Sequence, residues 1–372
     1  MNVAPTPAHL ATLVIAFAFL LGAVFGGVAQ ATRFCTMGAI TDVMAYGSTD
    51  RLRALLVAIA TAMATTQCLI VFDVLNLSNS IYTVPRLLWA SCLVGGLVFG
   101  SGMVLASGCT SKALIRAGSG NLKAIAVLLI AGFVGQLTLR GVLAGPRVNV
   151  LDAMSIPLSV HQDLPSWIGE LTASDPRTIH LALGVGIPAT LLFWVSRDRA
   201  FLRSSGFWGA IAIGLVVCGG WYVTARVGFI VEHPNTLEPA WIATNSHRPE
   251  SLSFIAPLAY GMELLSLWSD VNTRLTFGIA AAAGVLIGAF LSAWRRHELR
   301  WETFPNVEDT ANHFVGAAMM GFGGVTALGC TIGQGISGLS TLAANSILAV
   351  AGIVAGAVLA VRYQMWRMDR QE

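Results

Sequence analysis

Residues 107–135 read SGCTSKALIRAGSGNLKAIAVLLIAGFVG, and residues 328–356 read LGCTIGQGISGLSTLAANSILAVAGIVAG. In both, a Gly-rich apolar run ends at Gly-Cys-Thr, a short piece follows, and a new apolar run begins. At a shift of 221, Gly108, Cys109 and Thr110 fall on Gly329, Cys330 and Thr331, and Gly135 falls on Gly356. Upstream, at a shift of 220 to 221, STDRLRALLVAIA (48–60) lies against WSDVNTRLTFGIA (268–280): Asp50 falls on Asp270 at 220, and Arg53 on Arg274 at 221. FGGVAQATRF (25–34) echoes CGGWYVTARVGF (218–229) more weakly. The chain is an internal duplication.

The duplicated unit belongs in a membrane. Of the 372 residues, 55% are hydrophobic and 11% charged, against about 25% charged in a soluble domain. Apolar runs of about 18 residues or more are spans. They predict nine, near 10–30, 54–75, 87–106, 122–145, 179–195, 206–227, 275–293, 312–328 and 344–365. Four apolar pieces, 33–47, 109–118, 253–267 and 330–340, are too short to cross and read as re-entrant half-helices. Loops 146–178 and 228–252 are long and polar. The first run, Leu10 to Gln30, follows a segment without Lys or Arg and reads as a retained span rather than a signal peptide.

The expected fold is an all-α polytopic membrane protein, a single transporter domain over residues 1–372. Repeat 1 covers 10–145, an external loop and connecting span cover 146–203, and repeat 2 covers 206–365. Four spans per repeat with one between them make the repeats inverted, an arrangement that puts transport sites near the midplane. With the N-terminus outside, 15 of the 22 Lys and Arg fall on the inside and 7 on the outside. The positive-inside rule then gives a periplasmic N-terminus and a cytoplasmic C-terminus in a bacterial inner membrane. No basic cluster suggests a nucleic-acid partner.

Six cysteines are present, none in a C-x-x-C pair and none near a His in sequence. Zinc, iron–sulfur and thioredoxin-type chemistry therefore lack their spacing, and no cofactor or metal is expected. Cys68, Cys92 and Cys218 fall in mid-span and read as packing. Cys35, Cys109 and Cys330 fall where a long helix gives way to a short one. Gly108 and Gly329 are expected to supply the left-handed turn that ends each span. The short helices that follow turn free N–H groups toward the break, which attracts anions. The candidate pathway is Cys35, Cys109, Cys330, Gly108, Gly329, Thr110, Thr331 and Gln334. Lys112 and Arg116 either draw an anion to the mouth or anchor their helix at the interface. G-x-x-x-G pairs at Gly22/Gly26, Gly96/Gly100, Gly284/Gly288 and Gly352/Gly356 read as close helix contacts.

At TRFCTMGAITD, SGCTSKALIRAGSGN and LGCTIGQGISGLS the chain resembles the YeeE/YedE family of bacterial sulfur-compound transporters. The resemblance covers nearly the whole chain. It implies an hourglass-shaped inner-membrane protein that takes up thiosulfate. Three pathway thiols, matching Cys35, Cys109 and Cys330, would pass the ion through S–H···S contacts without a stable covalent intermediate. Some members are fused to sulfur-carrier domains, so a cytoplasmic sulfur-carrier or rhodanese-like partner is expected. Two other readings stay open here: a membrane thiol oxidoreductase or sulfurtransferase, and a permease for soft metals or selenium compounds.

Overall fold

The computed structural model describes residues 6–173, 175–234, 236–270 and 273–370. Nine long helices lie on the expected spans: α1 (Pro7–Thr32), α3 (Asp50–Val71), α4 (Trp89–Leu105), α6 (Leu122–Leu139), α7 (Pro176–Ser196), α8 (Ser205–Tyr222), α10 (Phe277–Arg295), α11 (Val307–Thr326) and α12 (Ala344–Asp369). Three short helices, α2 (Thr36–Tyr46), α5 (Thr110–Gly118) and α9 (Ile255–Ser266), and a π-helical turn at Gly333–Gly338 occupy the four expected re-entrant pieces. Among the described residues, eight helical stretches are long and apolar enough to cross a membrane. The expected eighth span, α11, has 20 residues, but Glu308, Asp309 and His313 make its first turns polar. Among the described residues the strands form two short antiparallel pairs, Arg86–Leu87 with Ile156–Pro157 and Phe229–Ile230 with Ala240–Trp241. Both pairs lie at the end of the bundle that carries the long loops.

In a bilayer helices gain little from burying apolar side chains against one another, so close backbone approach decides which pairs form. The glycine motifs find each other. A Cβ on Gly22 or Gly26 of α1 would lie 2.1 or 2.2 Å from the carbonyl oxygens of Ala281 and Val285 on α10, and one on Gly288 would lie 2.0 Å from that of Ala23. On α4, a Cβ on Gly100 would lie 2.1 Å from the Ile353 oxygen of α12, and one on Gly356 2.1 Å from the Leu97 oxygen. Any larger residue there forces the helices apart.

The repeat symmetry is visible in the contact between α4 and α11, which occupy equivalent places in the two repeats. Gly95 meets Gly323, and Gly102 meets Gly316. Exchanging repeats at the shift of 221 turns one contact into the other. The order of the contacts makes the two helices antiparallel, as inverted repeats require.

The ends of α1, α4 and α11 share one device, and it corrects the expected role of the glycines. The left-handed residues are Arg33 (φ 54°), Ser107 (φ 54°) and Leu328 (φ 61°), not Gly108 and Gly329. In each case the next amide closes a six-residue loop: Phe34 N to Ala29 O (3.0 Å), Gly108 N to Met103 O (2.8 Å) and Gly329 N to Gly324 O (2.8 Å). This is the Schellman arrangement. The glycines serve the fold-back that follows. A Cβ on Gly329 would sit 3.2 Å from the Gln334 backbone nitrogen, and one on Gly108 3.0 Å from the Lys112 side chain. The fourth break differs. There α8 runs into a π-helical turn, Val223–Val227, and the chain loops out before α9 begins at Ile255.

Candidate functional site

The three breaks bring Cys-Thr pairs to the centre of the bundle. Cys35 caps α2: its sulfur accepts the Gly38 amide at 3.1 Å. The next residue, Thr36, is buried and reaches both repeats. Its hydroxyl donates to Thr331 Oγ1 at 2.9 Å and lies 3.2 Å from Cys109 Sγ. A hydroxyl has one hydrogen. With that hydrogen on Thr331, a Cys109 thiol can donate to Thr36. Ser111 Oγ lies 3.2 Å from the same sulfur. Cys330 is fully buried and within electrostatic reach of Cys109.

The start of α5 carries an unpartnered hydroxyl. Cys109 occupies the N-cap of α5 but, unlike Cys35, makes no capping bond. The Thr110 hydroxyl is fully buried with no hydrogen-bond partner. The first amides of a helix have no partner within it. The start of α5 therefore lacks a side-chain cap and carries a buried hydroxyl without a hydrogen-bond partner.

The other candidates have partners within the fold. Gln334 is fully buried, donates its amide to Ala327 O and accepts from Ser346 Oγ at 2.6 Å, which braces the Cys330 break. Arg116 reaches Ser107 O at 3.4 Å and pairs with Glu302 at 3.5 Å. Lys112 is half-buried, its stem lying over Gly108. Of the acidic residues on α2 and α9, Asp42 pairs with Arg51 at 3.0 Å and Glu263 pairs with Arg140. The residue that sequence reasoning missed is Thr36. Its signal was the Cys-Thr dipeptide, which occurs at 35–36, 109–110 and 330–331.

Cavities approach this centre from both ends. At the long-loop end, a vestibule of about 670 Å³ is lined by Arg140, Trp241, Asn245 and Tyr260. A small chamber of about 50 Å³ shares Asn245 and Tyr260 with it and continues to Tyr82, Glu250, Ser253 and Leu328. Leu328 is two residues from Cys330. At the opposite end, a cavity of about 370 Å³ opens onto Cys35, flanked by Arg33 and Arg51. The two cavities end on either side of the thiols and hydroxyls of this centre, one at Cys35 and the other at Leu328. Among the described residues, all six cysteines are free, and no three His, Cys, Asp or Glu side chains converge as a metal site would need.

An inverted-repeat helical bundle with broken helices and a constricted polar centre defines a multi-pass membrane transporter. The chain belongs to the sulphur transport family, whose pattern matches residues 31–359. It is similar to the thiosulfate transporter TsuA of Spirochaeta thermophila, at 26% identity over 89% of this chain and 93% of that protein. It is also similar to the thiosulfate transporter TsuA of Escherichia coli, at 24% identity over 85% of each chain. A shorter stretch, 29% of this chain and 25% of the other, is 28% identical to the probable transporter YedE of Escherichia coli.

Proposed function

We propose that this protein carries thiosulfate into the cytoplasm across the bacterial inner membrane. The observation that carries the reading is the meeting of Thr36, Cys109 and Thr331, which joins three helix breaks between two cavities. Thiosulfate is a dianion with three hard oxygens and one soft, weakly hydrated sulfur. The uncapped start of α5 and the Thr110 hydroxyl suit the oxygens. The S–H groups of Cys330, Cys109 and Cys35, taken in that order, suit the sulfur. Thiols are weak donors, so each contact is loose enough to leave, as permeation demands. Neutral thiols matter, because a thiolate repels a dianion.

The long-loop end and the N-terminus face the periplasm in this reading, and the C-terminus faces the cytoplasm. The basic excess on the short-loop side supports that direction. So do residues 10–145 and 206–365 acting as the two inverted repeats, with 146–203 between them. Lys112 adds positive charge on the inner side of the break. The protein is not an enzyme in this account: the sulfur passes without covalent transfer. Release at the cavity beside Cys35 would hand the anion to a cytoplasmic sulfur-carrier or rhodanese-like protein.

The test is uptake of labelled thiosulfate by cells lacking their other sulfur importers, with sulfate, sulfite and selenite as competitors. Strong competition only by unlabelled thiosulfate is expected. Uptake that is absent, or displaced equally by sulfate, overturns the reading. Fusion of a cytoplasm-active reporter to Glu372 checks the sidedness.

A further inference from the structure

The small chamber between the outer vestibule and Leu328 contains one carboxylate, Glu250. Its backbone is held at the π-helical turn: Thr224 Oγ1 donates to Glu250 O at 2.6 Å and accepts the Glu250 amide at 3.2 Å. The side chain is half-buried, and Oε2 accepts from Ser246 Oγ at 3.2 Å. No Lys, Arg or His among the described residues forms an ion pair with it, although nine other Asp and Glu side chains in the protein pair with arginine. The groups that face it are Tyr82 from the segment before α4 and Tyr260 from α9. Beyond Tyr260 stand the Arg140–Glu263 and Arg147–Asp152 pairs. His247 and Arg248 on its own loop, and Arg226 on the turn beneath, are exposed.

An unpaired carboxylate is a poor lining for an anion path. The chamber shares Asn245 and Tyr260 with the vestibule, and it abuts the Cys330 turn. Ser253 Oγ and the Tyr82 hydroxyl lie 2.6 and 3.3 Å from where a Cβ on Gly333 would be. At about 50 Å³ the chamber holds one or two waters. An anion that enters it cannot keep water between itself and Glu250. Repulsion between an ionised carboxylate and a dianion is twice that between two single charges. A protonated carboxyl instead offers an O–H donor.

We propose that Glu250 is a proton-operated gate at the outer end of the pathway: protonated, it donates a hydrogen bond to the entering sulfur oxyanion, and ionised, it excludes it. The inference rests on the thiosulfate reading and adds to it the residue that governs admission. Burial pushes the Glu250 carboxyl up to about 7, with the Ser246 hydroxyl and the Asn245 amide opposing that rise. The gate is therefore poised where modest changes in external pH switch it.

The experiment is the initial rate of labelled thiosulfate uptake into proteoliposomes at a fixed internal pH, with external pH varied from 5 to 9. The wild-type rate should be flat in acid and fall about tenfold per unit once external pH exceeds the carboxyl's, because the protonated fraction falls so. Glu250→Gln keeps a donor and cannot ionise, so its rate should stay high and flat. Ser246→Ala removes a bond to the ionised form, so its midpoint should move to higher pH. A wild-type rate unchanged across the range overturns the gate while leaving thiosulfate transport intact, and so does a Glu250→Gln profile that still falls. If Glu250→Gln does not fold, the wild-type and Ser246→Ala profiles decide the question alone. Absence of uptake at every pH removes both the gate and the transport reading beneath it.

Discussion

Thr36 and Thr331 are 295 residues apart in sequence, and their hydroxyls meet at 2.9 Å in the middle of the bundle. The bond joins the first half-helix of repeat 1 to the Gly-Cys-Thr break of repeat 2, with the Cys109 thiol on the same Thr36 oxygen. A small change at Thr36 therefore acts on both Gly-Cys-Thr elements. Thr36→Val removes the hydroxyl without changing the shape. Each polar group left unpaired in the interior costs about 1–3 kcal/mol. Uptake should drop at least about tenfold, the thermal midpoint should fall, and Thr36→Ser should restore most of both. A Val variant with wild-type uptake rates would detach this contact from the pathway.

Thr110 should behave in the opposite sense for stability. Its hydroxyl is buried without a partner, which costs the fold on the order of 1–3 kcal/mol. Thr110→Val is expected to raise the unfolding midpoint while lowering thiosulfate uptake, since the hydroxyl is kept for the anion's oxygens. Unfolding followed by intrinsic fluorescence in detergent, beside uptake rates, tests the pair of effects. A variant both stable and fully active refutes the assignment.

The mid-span cysteines give the control. Cys68 is exposed on α3, Cys92 packs against Ala327 and Ala349, and Cys218 is buried on α8. None touches the Thr36 centre. Replacing all three with Ala should leave uptake within about twofold, at a stability cost of roughly 1 kcal/mol for each buried site. A folded triple variant that fails to transport would show that the thiols are sorted wrongly.

Stability should also respond to pH through Glu250. Its carboxyl is raised from its usual 4.5 to about 7 by desolvation. The fold thus favours the protonated form. That contribution is fully present below the unfolded value, near 4.5, and is lost as pH rises through about 7. Its size is at most on the order of 3 kcal/mol. Melting in detergent should show a higher midpoint at pH 5 than at pH 8, and Glu250→Gln should flatten much of that difference. An unchanged slope in the variant assigns the pH dependence to other groups.

Much of this architecture could be read from one alignment of the chain with itself. The shift of 221 located the spans, the breaks and the three thiols, because helix length and apolar composition are local properties. The glycine pairs could be seen, but not that Gly22 and Gly26 would meet α10 while Gly96 and Gly100 would meet α12; pairing is decided by contacts across the fold. Ser107 and Leu328 were overlooked as the left-handed residues because each is followed by a glycine, the usual occupant. Gln334 looked like a lining residue, yet its amide is satisfied at both ends by groups 7 and 12 residues away. Thr36 was passed over because nothing in its neighbourhood reveals a partner in the other repeat. Glu250 lies in a loop whose burial appears only once the loop folds back over the π-helical turn.

The central claim is that a polarizable thiol at Cys109, and not generic hydrogen bonding, moves the anion through the constriction. Cys109→Ser is the direct comparison, because it keeps a donor of similar shape toward Thr36 and Ser111 and removes the sulfur. Thiosulfate uptake should be measured for wild type, Cys109→Ala and Cys109→Ser at matched membrane abundance. The account predicts that both variants lose nearly all uptake. Full-rate transport by the serine variant contradicts it.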